Sequence, residues 1–114
     1  MKELSTKLTA ELRRGVLQIA VLALMRERTY GYQLGKDLAA NGLETEEGTL
    51  YPILRRLEQQ GLCEGSWDTG GSRPRKYYKT TEKGLETLET LLATFRRIGD
   101  ALEDVVRTDG ESDG

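Results

Sequence analysis

The chain has 114 residues, with 17 Lys and Arg against 19 Asp and Glu, no His, one Cys and two Pro. That length predicts one domain, and a hydrophobic content of 37% allows only a small core, so long helices or a partner subunit are needed to complete apolar burial. Without His, and with a lone Cys, the chain excludes His-ligated zinc, cysteine clusters, an internal disulfide and Ser-His or Cys-His dyads.

The longest nearly apolar run, Val16 to Met25, is about half a bilayer span. Glu3, Glu11, Arg13 and Arg14 do not lay out a signal peptide. The expectation is a soluble, cytoplasmic protein with no membrane partner. The net charge of −2 is unevenly spread. Residues 48–84 carry seven basic and four acidic side chains, a local excess of +3, while residues 85–114 carry three basic and eight acidic, a local −5. An anionic partner responds to the basic middle more than to the total.

The first helix is expected from about Thr6 or Thr9 to Arg26, on the three- and four-residue steps of Leu8, Leu12, Val16 and Ile19. Its apolar residues widen towards Met25, which predicts burial there, and Gly15 predicts close packing of another element. After Thr29-Tyr30-Gly31 a short helix runs to Ala40, with Leu34 and Leu38 inward, and Asn41-Gly42 stops it. A third helix runs from about Glu47 to Gln60, with Leu50, Ile53, Leu54 and Leu57 as its apolar stripe and Gly61 as its stop. Pro52 is expected in its first turn. Leu62–Asp68 and Arg75–Thr80 read as a hairpin around a glycine-rich loop.

Thr81 can cap a final helix to about Arg107. Its seam of Leu85, Leu88, Leu92, Phe95, Gly99, Leu102 and Val106 alternates steps of three and four, heptad spacing over three heptads. The helix is too long for so small a core to cover, which predicts a homodimer. The expected divisions are a DNA-binding unit at 1–80, a dimerisation helix at 81–107 and a disordered acidic tail at 108–114. The fold class is mainly α with a small β-hairpin.

Three helices followed by a hairpin is the order of a winged helix-turn-helix, whose third helix enters the major groove. With its leucines inward, that helix leaves Thr49, Arg55, Arg56 and Gln59 outward, and Arg73, Arg75 and Lys76 sit near the hairpin tip to neutralise phosphates. Winged helices also serve as protein-docking modules, which is the rival reading.

The motifs are Gly31-Tyr32, Gly48-Thr49-Leu50-Tyr51-Pro52, Arg56-Leu57-Glu58, Gly61-Leu62, Trp67, Arg75-Lys76-Tyr77-Tyr78, and Thr81 with Gly84. Through them the sequence resembles the PadR family of winged-helix transcriptional regulators, in its short-tailed type with a single C-terminal helix. The resemblance implies a homodimeric repressor whose last helix lies in the dimer interface. An enzyme is not expected, because the chain has no His, no Gly-rich phosphate loop followed by Lys and no convincing carboxylate dyad. The resemblance also brings in members that sense small hydrophobic ligands and others regulated by redox state. Cys63, where an aliphatic residue is more usual, and the acidic tail depart from the pattern.

The expected DNA contacts are Tyr30, Tyr32, Lys36, Thr49, Tyr51, Arg55, Arg73, Arg75 and Lys76, on a pseudo-palindromic operator. Tyr51 could instead pack under its helix, Thr49 could stabilise the helix start, and Arg56 could be held in an ion pair. Tyr77 and Tyr78 face opposite ways, and Trp67 is expected to fill the core. The expected dimer contacts are Leu85, Leu88, Leu92, Phe95 and Leu102. Leu12, Val16, Leu92 and Phe95 would line an effector cleft between subunits, which a filled dimer core would equally explain. Cys63 reads as a small buried hydrophobe, with no basic neighbour evident and Glu64 raising its pKa. Glu44, Glu46 and Glu47 read as a solvated helix start rather than a Mg²⁺ site. No cofactor or metal is expected.

Overall fold

One cluster of buried apolar side chains organises the protein, and each element contributes the residues its periodicity predicts. The computed structural model describes residues 2–111. Helix α1 (Lys2–Leu24) supplies Leu17, Val21 and Leu22; α2 (Gly31–Ala40) supplies Leu34 and Leu38; α3 (Glu47–Gln59) supplies Leu50, Ile53, Leu54 and Leu57. Met25, Leu62, Cys63, Tyr78 and Leu88 close the cluster. The widening of the apolar face towards Met25 does mark burial. The first half of α1, by contrast, has no cover within the chain. Its Leu4, Leu8 and Leu12 are exposed, and nothing lies within 4 Å of a side chain added at Gly15, so the close packing expected there is not made within one protomer. The helix also begins at Lys2 rather than near Thr6.

Both short helices end where glycine allows a left-handed residue. Gly42 (φ 77°) and Gly61 (φ 76°) close α2 and α3 with paired bonds, Leu43 N–H to Leu38 O and Gly42 N–H to Ala39 O, then Leu62 N–H to Leu57 O and Gly61 N–H to Glu58 O. Helix α3 starts at Glu47 as expected. Pro52, however, is its sixth residue, in the second turn rather than the first. Its missing N–H leaves unserved the carbonyl of Gly48, an exposed residue that water reaches.

The hairpin is present, as strands β2 (Cys63–Asp68) and β3 (Arg75–Thr80), and it gains a third strand. Thr29–Tyr30, β1, pairs antiparallel with β3 in the order β1-β3-β2, with Thr29 opposite Tyr78 and Tyr30 opposite Tyr77. A two-residue strand carries too little alternation to be visible in a sequence. In the hairpin, Cys63 faces Thr80, Gly65 faces Tyr78 and Trp67 faces Lys76. Tyr78 is buried and Tyr77 half-buried on the other face.

Helix α4 (Glu82–Glu111) runs past the expected end near Arg107, and of the tail expected at 108–114, residues 112–114 lie outside the described residues. Its start is riveted to the rest. Thr81 Oγ1 accepts from Gly84 N–H (3.0 Å) and donates to Gly61 O (2.7 Å), while Thr81 N–H bonds Leu62 O (3.0 Å). One residue earlier, Thr80 Oγ1 donates to Leu22 O (2.7 Å) and Thr80 N–H to Met25 O (2.8 Å). Gly84 makes the joint possible, since a Cβ there would run into the Leu62 carbonyl and Thr80 Cγ2. Leu88, expected in the dimer seam, is 7% exposed and belongs to this chain's own core. The correction has a simple cause: α4 packs on α1, and burial along it is lost after its first turns, with Leu88 covered but Phe95, Leu102 and Val106 exposed.

Replacing Thr81 by Ala should lower stability by about 1–2 kcal/mol, as for other lost helix caps. Gly84→Ala should cost more, because backbone rather than a movable side chain occupies the space. Denaturant midpoints of the two variants at equal m-value test the order, and an unchanged Gly84→Ala midpoint would refute the tight joint.

Candidate nucleic-acid interface

The tyrosines and cations singled out in the sequence come from four elements, and the fold gathers most of them. Tyr30, Tyr32, Tyr51, Arg73, Arg75 and Lys76 line one open hollow of about 660 Å³ between the hairpin and the α2–α3 pair. Lys36 stands beside it, its ammonium 5.6 Å from the Tyr32 ring centre. The α3 face next to the hollow carries Tyr51, with Arg55 and Gln59 within about 80° of it round the helix. Arg55 is exposed and free to meet a groove.

Thr49 falls elsewhere. It lies about 160° round α3 from Tyr51, on the α1 side, where it lines a separate hollow with Arg14, Pro52 and Arg56. It is therefore not brought together with the hairpin cations. Arg56, read either as solvated surface or as held in an ion pair, is exposed on that side, and Glu58, two residues on, pairs with Lys76.

Tyr51 is seated by a glycine. Its ring and hydroxyl rest on Gly31 so closely that any Cβ there would overlap the phenol. This is the physical content of two distant motifs, Gly31-Tyr32 and the Tyr51-Pro52 run, which lock together in space. Lys76 is seated by a second one. Its ammonium donates to Glu58 Oε1 at 2.9 Å, passing over Gly65, where a Cβ would come within 2.8 Å of Glu58 Oε2. The Glu58 carboxylate raises the Lys76 pKa above its usual value, outweighing the opposing cost of burial. Lys76 is thus a charge already partly spent within the protein.

On the opposite face of the hairpin the cations are stacked on rings. Arg75 lies 4.1 Å from the centre of the Tyr30 ring and Arg28 3.9 Å from that of Tyr77, while the two rings meet edge to face at 5.4 Å and 65°. Stacking orients a guanidinium plane and leaves its N–H edge open for a phosphate. The Tyr77 hydroxyl, then Tyr30, favours the charged form of Arg75. Arg28 went unassigned in the sequence, because nothing there reveals that its turn folds back over Tyr77.

Trp67 corrects an expectation. It is 65% exposed and lines the hollow rather than the core. The alternation that turns Cys63 and Gly65 to the side that carries the core turns Trp67 the same way, but the core ends before the hairpin does. The four residues expected to line an effector cleft are not enclosed by one chain either. Leu12 is 72% and Phe95 46% exposed, and Val16 and Leu92 are half-buried, so any such cleft needs a second chain.

Cys63 is buried, as expected. Burial, then the charge of Glu58, pushes its pKa up to about 11, against a smaller lowering by Lys76. The carboxylate involved is Glu58 rather than Glu64, and Lys76 is the basic neighbour that the sequence does not reveal. No group of metal-ligating side chains occurs among the described residues, and no helix there is long and apolar enough to cross a membrane.

Comparison with known proteins agrees with this arrangement. Residues 21–90 match the Transcriptional regulator PadR-like family. The chain is 31% identical over 98 residues to Transcriptional regulator Rv3488 of Mycobacterium tuberculosis, spanning 85% of each protein. Among solved structures it is similar to a PadR family transcriptional regulator from Eggerthella lenta, with a TM-score of 0.87 and 45% identity over 94% of this chain and 96% of that one. It is also similar to a PadR-like transcriptional regulator from Bacillus cereus, with a TM-score of 0.73 and 32% identity over 85% and 97% of the two chains.

The raised thiol pKa has a sign that can be checked. Between pH 9 and about 11 the unfolded chain gives up the Cys63 proton while the folded chain keeps it, so stability is full below pH 9 and falls as pH rises through that interval. The wild-type denaturant midpoint should drop more steeply there than that of Cys63→Ala; parallel curves would show that burial does not hold the proton.

Proposed function

The chain belongs to the PadR-like family of transcriptional regulators, and we propose that it acts as a homodimeric, sequence-specific DNA-binding repressor in the cytoplasm. The observation that carries the DNA reading is the convergence of tyrosines and cations from α2, α3 and the hairpin on one hollow. Tyr32, Tyr51, Arg73 and Arg75 would hold backbone phosphates, with Tyr30 and Lys36 at the margin. Arg55 would reach base edges from α3. Lys76, already paired with Glu58, would position the wing more than it neutralises phosphate.

The homodimer reading rests on apolar surface that one chain cannot bury. The radius of gyration is 17.4 Å, against about 13 Å for a compact chain of this size. The excess comes from helices that project beyond the core. Phe95, Ile98, Leu102, Val105 and Val106 on α4, with Leu4, Leu8 and Leu12 on α1, are all exposed. Paired with a second copy, Leu85, Leu92, Phe95 and Leu102 would form the seam and set two copies of α3 about one helical turn apart on DNA, ~34 Å. A small hydrophobic effector would enter between the chains at Leu12, Val16, Leu92 and Phe95, and change that spacing.

Fragments of the source genome selected by the protein should yield a pseudo-palindrome, and a reporter carrying it across its promoter should fall when the protein is supplied. On that duplex, Arg73→Gln with Arg75→Gln should flatten the plot of log affinity against log salt by about 1.8, at roughly 0.9 per phosphate contact. Lys76→Gln should change it less. A slope untouched by the arginine pair would favour a protein-docking wing over DNA.

Phe95→Asp with Leu102→Asp should place charge in the seam and leave a folded monomer by sedimentation. Dimers that survive both substitutions would place the contact elsewhere.

A further inference from the structure

We propose that Trp67 is itself a DNA contact, its indole packing on the sugar edge of the backbone strand whose phosphates Arg73 holds at the hairpin tip. The inference rests on the DNA-binding reading above and adds to it a residue that the charge pattern does not select.

Trp67 is the chain's single tryptophan and is 65% exposed. Its ring shares one hollow with the exposed rings of Tyr32 and Tyr51, and contiguous exposed aromatic surface of this kind marks an interaction site. Its position follows from register. Trp67 sits opposite Lys76, two residues beyond the Gly65–Tyr78 pair that closes the core. The sheet face that is apolar within the core therefore continues outward as Trp67 and forms the wing-side wall of the hollow. Tyr32 and Tyr51, both open to solvent, line the same hollow from α2 and α3.

The charges around Trp67 choose the occupant. Arg73 and Arg75 line the hollow together with Lys76, whose charge Glu58 already answers, and no carboxylate is among the described residues that line it. An anionic polymer with apolar stretches between its charges meets both requirements, and the deoxyribose edges between phosphates are such stretches. An uncharged protein strand would leave the arginines unanswered, and an acidic one would have to match their spacing.

A contact of this kind leaves a signature that a phosphate contact does not. Packing a ring on a sugar releases no counterion, so its loss lowers affinity without altering the salt slope. Covering on the order of 60 Å² of ring corresponds to about a tenfold gain in affinity.

The test uses the full-length protein and the duplex recovered by genomic selection. Because Trp67 is the only tryptophan, intrinsic emission reports this position alone, with no substitution needed. Adding the duplex should shift the emission and reduce its quenching by acrylamide at least twofold. Trp67→Ala should bind about tenfold more weakly with the wild-type salt slope, and Trp67→Phe should recover most of the loss. Retarded duplex with unchanged emission and quenching would overturn the contact while leaving the DNA reading intact. A Trp67→Ala slope reduced as in the arginine variants would also overturn it, by making Trp67 a prop for those side chains. If no duplex is retarded by the wild type, the DNA reading itself fails and takes this inference with it.

Discussion

The turn from Thr80 to Gly84 carries more of the architecture than any other short segment. Thr80 ties the end of the sheet to the last turn of α1, and Thr81 ties the start of α4 to the end of α3. Three elements of the DNA-binding unit are thereby joined to the base of the projecting helix by bonds of 2.7–3.0 Å. One of these, Thr80 Oγ1 to Leu22 O, is a side-chain bond to a carbonyl in the last turn of α1, a group without an intrahelical partner. Since Gly84 admits no Cβ against Leu62, the crossing of α4 over the core is fixed closely. These bonds are the route by which a shift at the start of α4 would reach the end of α3 and the sheet.

The same economy recurs in the hollow. Gly31 lets α2 receive Tyr51 from α3, and Gly65 lets the wing receive Glu58 from α3 through Lys76. Each glycine is a place where another element's side chain takes the volume of a missing Cβ. Helix α3 is thus braced on both sides of its wing-facing edge, by an aromatic ring and by an ion pair. Bracing of this kind keeps side chains ordered before a ligand arrives and reduces what binding must spend on ordering them. The ion pair is only about one-third exposed on each side, and its worth lies in placement more than in stability.

How much of this was legible in the sequence depends on the range of the signal. The three helices, the hairpin and the final helix were readable because Leu34 and Leu38, Leu50 to Leu57, and Gly42 and Gly61 act through local periodicity and local backbone freedom. The Thr81 cap was readable for the same reason. What escaped is whatever depends on where the core stops. Trp67 was expected in the core, but its strand runs past the core's edge, which no local pattern marks. Heptad spacing placed Leu88 in the seam with Phe95 and Leu102, yet one turn lies over α1 and the others beyond it. The strand Thr29–Tyr30, the Arg28–Tyr77 stack and the Glu58–Lys76 pair are contacts over long sequence separations, for which neither residue carries a local mark. Thr49 and Tyr51, two residues apart, fall on different sides of α3, a distinction that only the position of the wing makes meaningful.

Charge and shape also divide the molecule in a consistent way. The basic excess lies in residues 48–84 and the acidic excess in 85–114, so the wing and the projecting helix carry opposite signs. A polyanion attracted to the first is repelled by the second, which orients the approach before any contact forms. Salt acting over a Debye length of about 8 Å weakens both effects, while the apolar stripe of α4 is indifferent to it. The proposed dimer and the proposed DNA grip therefore answer to different solution variables. Apolar burial governs the pairing of chains, and counterion release governs most of the hold on DNA. The joint at Thr80–Gly84 is where the two meet. An effector that moved the α4 pair need not touch a single phosphate contact to separate the two copies of α3, since the rigid joint would carry the displacement to them.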